Sequence, residues 1–326
     1  MSLLKFRGKL SSGNIVQLSI FAAVIIVAFI LPQLTSTIIL TGISILMYIS
    51  LSVSWTVFSG PTGYISLATA AFFGLGVYVS AFLGDYLPMP LLMLTGGIVA
   101  FIVAVLIGAI TLRLRGVYFT IFTFGMVEFL NNLIHYLQLK ITGRRGLTLS
   151  TVLSNTVIYY YLLGFLVIIL VAAIIIKRSR FGKALVSIGE SEDAASHVGI
   201  NTTLYKILAF AISSFFIGAV GAAMAVRITY IDSGIAFSLL KSFLPVLMVV
   251  FGGMGSFAGP VVGAAIFAYL LELVRTNQVL SSYYSISIGA IMIIAILFLP
   301  EGLIGLGQRI FRKISGGKRR AEHADS

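Results

Sequence analysis

Cysteine is absent from the chain, so no disulfide framework, thiol chemistry or cysteine-bound metal site is open to it. Charge is scarce as well. Asp, Glu, Lys and Arg make up 10% of the 326 residues, where soluble domains carry roughly 25%. That is too little to cover the surface of a water-soluble fold of this size, which excludes a soluble enzyme. Acidic residues are rarer still, 10 against 22 basic ones. In a soluble chain the resulting net charge of +12 would point to nucleic acid. Here basic loops held on the cytoplasmic side of a membrane account for it, and no nucleic-acid partner is expected.

What the chain has in excess is oil-soluble sequence: 59% hydrophobic residues and a mean hydropathy of +1.09. Several uncharged stretches exceed the ~18 residues needed to cross the hydrocarbon core. Apolar runs over 14–34, 37–58, 64–84, 90–112, 115–136, 157–176, 204–226, 240–254, 258–275 and 283–300 predict about ten transmembrane helices. The fold class is therefore all-α and polytopic. A single membrane domain over 1–308 leaves no room for a separate soluble domain. The first run follows Lys5, Arg7 and Lys9 like a signal sequence, but it lacks a small-residue cleavage site after Leu31 and reads as an uncleaved span.

Placing the N-terminus in the cytoplasm sorts the charge. Sixteen of the 22 basic residues then lie inside and six outside, the six being Lys140, Arg144, Arg145, Arg227, Lys241 and Arg275. The bias puts both termini in the cytoplasm. The longest inner loop runs over 177–206, and the longest outer one over 137–155. The tail 309–326 is basic and then polar, suited to the cytosol and to contact with anionic lipid headgroups.

Two apolar regions are interrupted by clustered small residues, Ser59–Tyr78 and Gly252–Phe267, each following a Val-Phe pair. Glycine costs a helix interior about 1 kcal/mol relative to alanine, so its presence needs a reason. Close packing is one, since Gly255, Gly259 and Gly263 form overlapping GxxxG repeats. The other is a broken or re-entrant helix lining a polar path. With Pro61 and Pro260 embedded, the clusters together point to broken helices beside a translocation path, with Gly60, Gly63, Ser66, Gly74, Gly252, Gly253, Gly255 and Gly259 as its candidates.

Ionisable groups are few in the spans. Glu128, Asn132 and His135 share one face of the fifth at i, i+4 and i+7, a polar stripe suited either to lining the path or to bonding between helices. Glu272 has Arg275 at i+3, the pattern of an interfacial ion pair. No His, Cys, Asp and Glu spacing marks a metal site, and no catalytic constellation is present.

The inner loop holds two short amphipathic patterns, Ala184, Leu185 and Ile188 followed by Ala194, Ala195 and Val198, with Glu190, Glu192 and Asp193 between them. Asp193-Ala194-Ala195, then three residues, then Gly199 resembles the EAA…G signature of ABC importer membrane subunits, with Asp in the Glu position. Six blocks in order, PTGYISLATAAFFGLGVY, LRLRGVYFTIFTFGMVEFLNN, TGRRGL, GKAL…AASHVGIN, VVFGGMGSFAGPVVGAA and FLPEGLIGL, are similar to those of the branched-chain amino acid ABC transporter permease family, M-type subunit. Ala68 and Thr69 depart from that family's usual Gly-His, Pro61 precedes the first glycine turn, and Arg144-Arg145 replaces small residues.

The resemblance implies a permease of a bacterial importer in the cytoplasmic (inner) membrane. It implies a coupling helix for an ATPase groove built from Gly182, Glu192, Asp193, Ala194, Ala195, Gly199 and Asn201. The implied partners are a second homologous permease, two ABC ATPase subunits and an extracytoplasmic solute-binding protein. This chain lacks GxxxxGK[ST], because Arg312 stands where Gly317-Lys318 would need a glycine, so ATP and magnesium are expected in partner subunits and no cofactor in this one. Two other classes fit less of the sequence. A proton-coupled secondary transporter would use Glu128 as its relay and move solute unaided. A non-transporting scaffold or respiratory-complex subunit usually has several ionisable residues at mid-membrane, and this chain has almost none.

Overall fold

A computed structural model describes residues 36–149, 153–227 and 230–277, together with positions 283, 286, 288–290, 293 and 302. The expected first span, most of the tenth and the basic tail lie outside the described residues, and with them the placement of the termini. Eleven helices are described: α1 (Ser36–Thr62), α2 (Thr69–Leu83), α3 (Met89–Thr111), α4 (Val117–Thr142), α5 (Asn155–Arg178), α6 (Arg180–Glu190), α7 (Glu192–His197), α8 (Thr202–Ala225), α9 (Ser233–Ala236), α10 (Leu240–Gly252) and α11 (Gly259–Thr276). Among the described residues seven spans are long and apolar enough to cross a membrane, α9 and α10 counting together as Ser233–Gly252.

Local chemistry sets the helix ends. Ser154, Ser179, Ser191, Asn201 and Asp232 each accept a backbone N–H with the side chain and cap α5, α6, α7, α8 and α9. The all-α expectation holds except for a two-residue antiparallel ladder, β1 (Leu147–Thr148) against β2 (Tyr230–Ile231), which ties two inter-helix loops together. The fifth span runs six residues beyond its expected end, to Thr142.

The third span differs more. Helix is expected from 64, yet it begins at Thr69 and is only 15 residues long. The stretch 63–68 is non-helical, and backbone inside a membrane must find partners within the protein. Side chains from two other helices supply them. Trp55 Nε1 donates to the Ser66 carbonyl at 2.7 Å, Thr120 Oγ1 donates to that of Ile65 at 2.9 Å, and Thr123 Oγ1 accepts from the Leu67 N–H at 3.1 Å. α2 is thus a half-helix resting on an extended strip, as the first glycine cluster predicts.

α8 is the central element, with 78% of its apolar window buried. Its small residues let α2 and α3 approach backbone to backbone. A Cβ on Gly76 would lie 1.9 Å from the Gly218 carbonyl oxygen, and one on Gly221 2.1 Å from that of Phe73. Ala222 and Ala100 face Gly96 and Gly218 across the same seam. α1 packs on α8, α5, α10 and α11 on the other side. α4 is the least enclosed span, with 28% of its window buried. Not every helical glycine is a contact. Gly164 in α5 meets nothing within 4 Å, so Gly164→Ala is expected to stabilise by up to about 1 kcal/mol, read as an unchanged or higher unfolding midpoint in detergent.

Candidate functional site

At the end of the bundle expected to face the cytoplasm the chain turns at Ser179, and the short loop helices fold back under the bundle. Gly182 sits where a Cβ would be 2.1 Å from the Ile176 carbonyl oxygen, so this turn admits no larger residue. α6 buries Ala184, Leu185 and Ile188, as its pattern predicts. It lies against the end of α1: a Cβ on Gly189 would come within 2.2 Å of the Pro61 carbonyl oxygen. The loop therefore touches the strip 63–68 at its root.

α7 fixes that contact electrostatically. Lys206, 1% exposed in the first turns of α8, donates to Glu192 Oε1 at 2.6 Å and to the Leu112 carbonyl at 3.0 Å. Tyr64 Oη, at the start of the strip, donates to the other oxygen of Glu192 at 2.6 Å, and the Lys206 ammonium lies 4.8 Å over its ring. Arg115, between α3 and α4, reaches Asp193 Oδ1 at 3.0 Å. Burial alone would raise the Glu192 carboxyl, but the bonds from Lys206 and Tyr64 and the charge of Arg115 outweigh it and hold it below the usual carboxylate range. One carboxylate so joins the loop, the strip, the end of α3 and the start of α8.

The residues expected to serve coupling are thereby brought together with divided roles. Gly182 and the buried Ala195 hold the fold of the loop. Glu192 faces inward and Asp193 pairs with Arg115, so the acidic patch expected there is largely neutralised. Gly199 has φ +88, a left-handed turn that glycine adopts without strain, and Asn201 caps α8 through Leu204 N–H at 3.1 Å. Ala194, His197 and Val198 face outward, Val198 with 77% exposure. Lys206, Tyr64 and Arg115 were not singled out by sequence reasoning. Nothing local marks them, since Tyr64 and Glu192 are 128 positions apart.

The candidates for the path do not form a single site. Gly60 and Gly255 line one cavity of about 310 Å3, with Pro61, Pro260, Lys177 and Gly182, so the two glycine clusters meet beside the loop. Gly63 (φ +70) makes the turn into the strip, and Ser66 is buried within it. Gly74, Gly252 and Gly259 are packing contacts: a Cβ on Gly74 would strike the Phe237 ring at 2.5 Å, and one on Gly252 the Gly259 carbonyl oxygen at 1.8 Å. Gly253 (φ +104) opens the 253–258 turn, which joins α10 to α11 and interrupts neither. Glu128 and Asn132 are remote from this cavity. Both lie on the exposed side of α4, where Asn132 Nδ2 donates to the Glu128 carbonyl at 2.8 Å, while His135 Nδ1 meets Ser233 Oγ at 3.3 Å. Glu272 and Arg275 form the expected pair at 3.8 Å. Lys241, counted among the outer-side residues, falls within the apolar stretch that begins at Ser233 and is long enough to cross a membrane.

Comparison with known proteins shows what this apolar bundle with its braced loop is similar to. The high-affinity branched-chain amino acid transport system permease protein LivM of Escherichia coli is 27% identical over 312 residues, covering 86% of this chain and 72% of that protein. The corresponding LivH of Escherichia coli is 28% identical over 133 residues, 40% of this chain and 42% of that one. The ribose import permease protein RbsC of Haemophilus influenzae is 24% identical over 127 residues, covering 38% and 39%. No solved structure gives a significant match. The profile of the family described as branched-chain amino acid transport system / permease component matches residues 34–296, and a match over that much of the chain makes this multi-pass membrane protein a member of that family of transport subunits.

Proposed function

We propose that the chain is one membrane subunit of a bacterial ABC importer in the cytoplasmic membrane, carrying branched-chain or similarly small amino acids by alternating access. The whole of 1–308 is its translocating domain, two ATPases carrying ATP and magnesium dock on α6 and α7, and the tail 309–326 lies on lipid. A second homologous permease covers the open side of α4, and an extracytoplasmic binding protein delivers solute to the end that bears the β-ladder.

The observation that carries this reading is the Glu192 junction. An ATPase pressing on the exposed Ala194, His197 and Val198 would push a helix that Lys206 and Tyr64 fasten to α8 and to the strip. A stroke at the cytoplasmic surface thus reaches the half-helix α2 through a buried ion pair instead of a flexible loop.

Because the chain has no cysteine, one introduced thiol reports unambiguously. In the assembled complex, Val198→Cys is expected to crosslink to a cysteine placed in the ATPase groove. Gly199→Val, which forces a side chain into a left-handed turn, is expected to lower ATP-driven uptake in proteoliposomes at least tenfold. Normal uptake by Gly199→Val together with no crosslink would count against the proposal. Uptake by the purified chain alone, abolished by an uncoupler, would replace it with proton coupling.

A further inference from the structure

Lys241 sits in the first turn of α10, and ring contacts fix its depth. Phe243 packs on Phe124 with centroids 5.9 Å apart, and Phe124 is seven residues, about 10 Å, above the cytoplasmic start of α4. Ser242 Oγ accepts the Ala70 N–H at the foot of α2, and the Lys241 ammonium stands 4.8 Å over the ring of Phe73, one turn higher. Its acceptor, the Ile235 carbonyl, lies two residues from Ser233, which meets His135 farther along α4, so the ammonium lies between those two levels, inside the apolar span.

A cation at that depth is expensive, and its place on the helix makes it more so. The first turn of a helix is its positive end, which repels an ammonium. Against this stand one backbone carbonyl, that of Ile235, and the face of Phe73. Among the described residues no carboxylate lies within ion-pairing distance of it. Asp232, which caps α9, acts on it only through space. Packing alone would be served by methionine at lower cost, so the charge itself has to be what is used. Lysine offers three N–H donors, more than Ile235 O takes up. Beside it the exposed side chains Ile235, Leu240 and Phe243 form an apolar margin on the flank shared with α4.

We propose that Lys241 receives the carboxylate of the transported amino acid within the membrane-spanning bundle, with its aliphatic side chain laid against Ile235, Leu240 and Phe243. This rests on the importer reading above, and it places the solute on the flank where the second permease would close the path.

The test uses the assembled complex in proteoliposomes with leucine as solute. ATP-driven uptake by the unaltered complex checks the importer reading separately. Lys241→Cys is expected to cut uptake at least tenfold with assembly and basal ATP hydrolysis unchanged. Treatment with 2-aminoethyl methanethiosulfonate rebuilds an ammonium on that thiol through a disulfide, releasing methanesulfinate, and is expected to restore at least a third of the uptake. Methyl methanethiosulfonate, which adds no charge, is expected to restore none, and leucine should slow both labelling reactions. Lys241→Met keeps the length of the stem and serves if the cysteine variant does not assemble, with the same tenfold loss expected. Uptake within twofold of the unaltered complex in either variant overturns the proposal, as does equal rescue by both reagents. Failure of both variants to assemble assigns the ammonium to folding and overturns it too.

Discussion

Lys206→Met is expected to destabilise the protein by about 3 kcal/mol, the lower end for breaking a buried ion pair, because Glu192 keeps 16% side-chain exposure and its bond from Tyr64. The loss has two parts. The Glu192 carboxylate loses its closest cation, and the Leu112 carbonyl loses its donor, at the place where α3 ends. Replacing both partners, Lys206→Met with Glu192→Met, is expected to recover most of the stability, since two apolar groups leave no charge stranded. Transport should not recover with it, because α7 would no longer be tied to Tyr64. Unfolding midpoints in detergent and ATP-driven uptake, read side by side, separate the two effects. A loss below about 1 kcal/mol in the single variant would mean that the junction is no stronger than a surface pair.

The same junction has a pH signature. In the folded protein Glu192 titrates below its ordinary value, which is about 4.3 in an unfolded chain. Its contribution is complete above that ordinary value and is lost as pH falls through the lower folded one. The stability difference between the parent and Lys206→Met is therefore expected to be constant from about pH 8 to pH 6 and to shrink below about pH 4. A difference that grows on acidification would contradict the assigned pairing.

Gly76→Val is the second large effect, expected to exceed about 3 kcal/mol and to prevent accumulation of folded protein. Its Cβ would lie 1.9 Å from the Gly218 carbonyl oxygen and 2.9 Å from the Ala222 amide nitrogen. Both are backbone atoms of the most enclosed helix, so no rotamer change relieves the clash. Membrane yield and retention on size-exclusion chromatography, compared with the benign Gly164→Ala, give the measurement. Wild-type yield from Gly76→Val would show that α2 and α8 are farther apart than the structure places them.

These effects mark where sequence reading reached its limit. Hydropathy located seven of the ten expected spans among the described residues because a window of apolar residues is a local property, and the amphipathic pattern of 184–198 located α6 and α7 for the same reason. The first glycine cluster was legible as a break, since Gly63 and the short apolar helix after it are local too. Which glycines pack and which open a cavity was not legible. Gly252 and Gly255 look alike in sequence, but the first is pressed on Gly259 and the second faces open space. Lys206 read as one more cytoplasmic charge because its partners come from positions 64, 112 and 192. Lys241 read as external because the apolar run appeared to begin at 240, while the span actually opens earlier, through α9. For Lys206 the deciding contacts lie across the fold from the residue.

The seam joining α2, α3 and α8 has a mechanical consequence. Main chain there rests on main chain, so the contact has no side-chain torsions to turn and no alternative fit within reach. Such a joint can be intact or parted, with nothing between. In the alternating-access cycle proposed above the three helices would therefore travel as a single keel, and the relative motion that opens one face and shuts the other would fall to the elements hung around it.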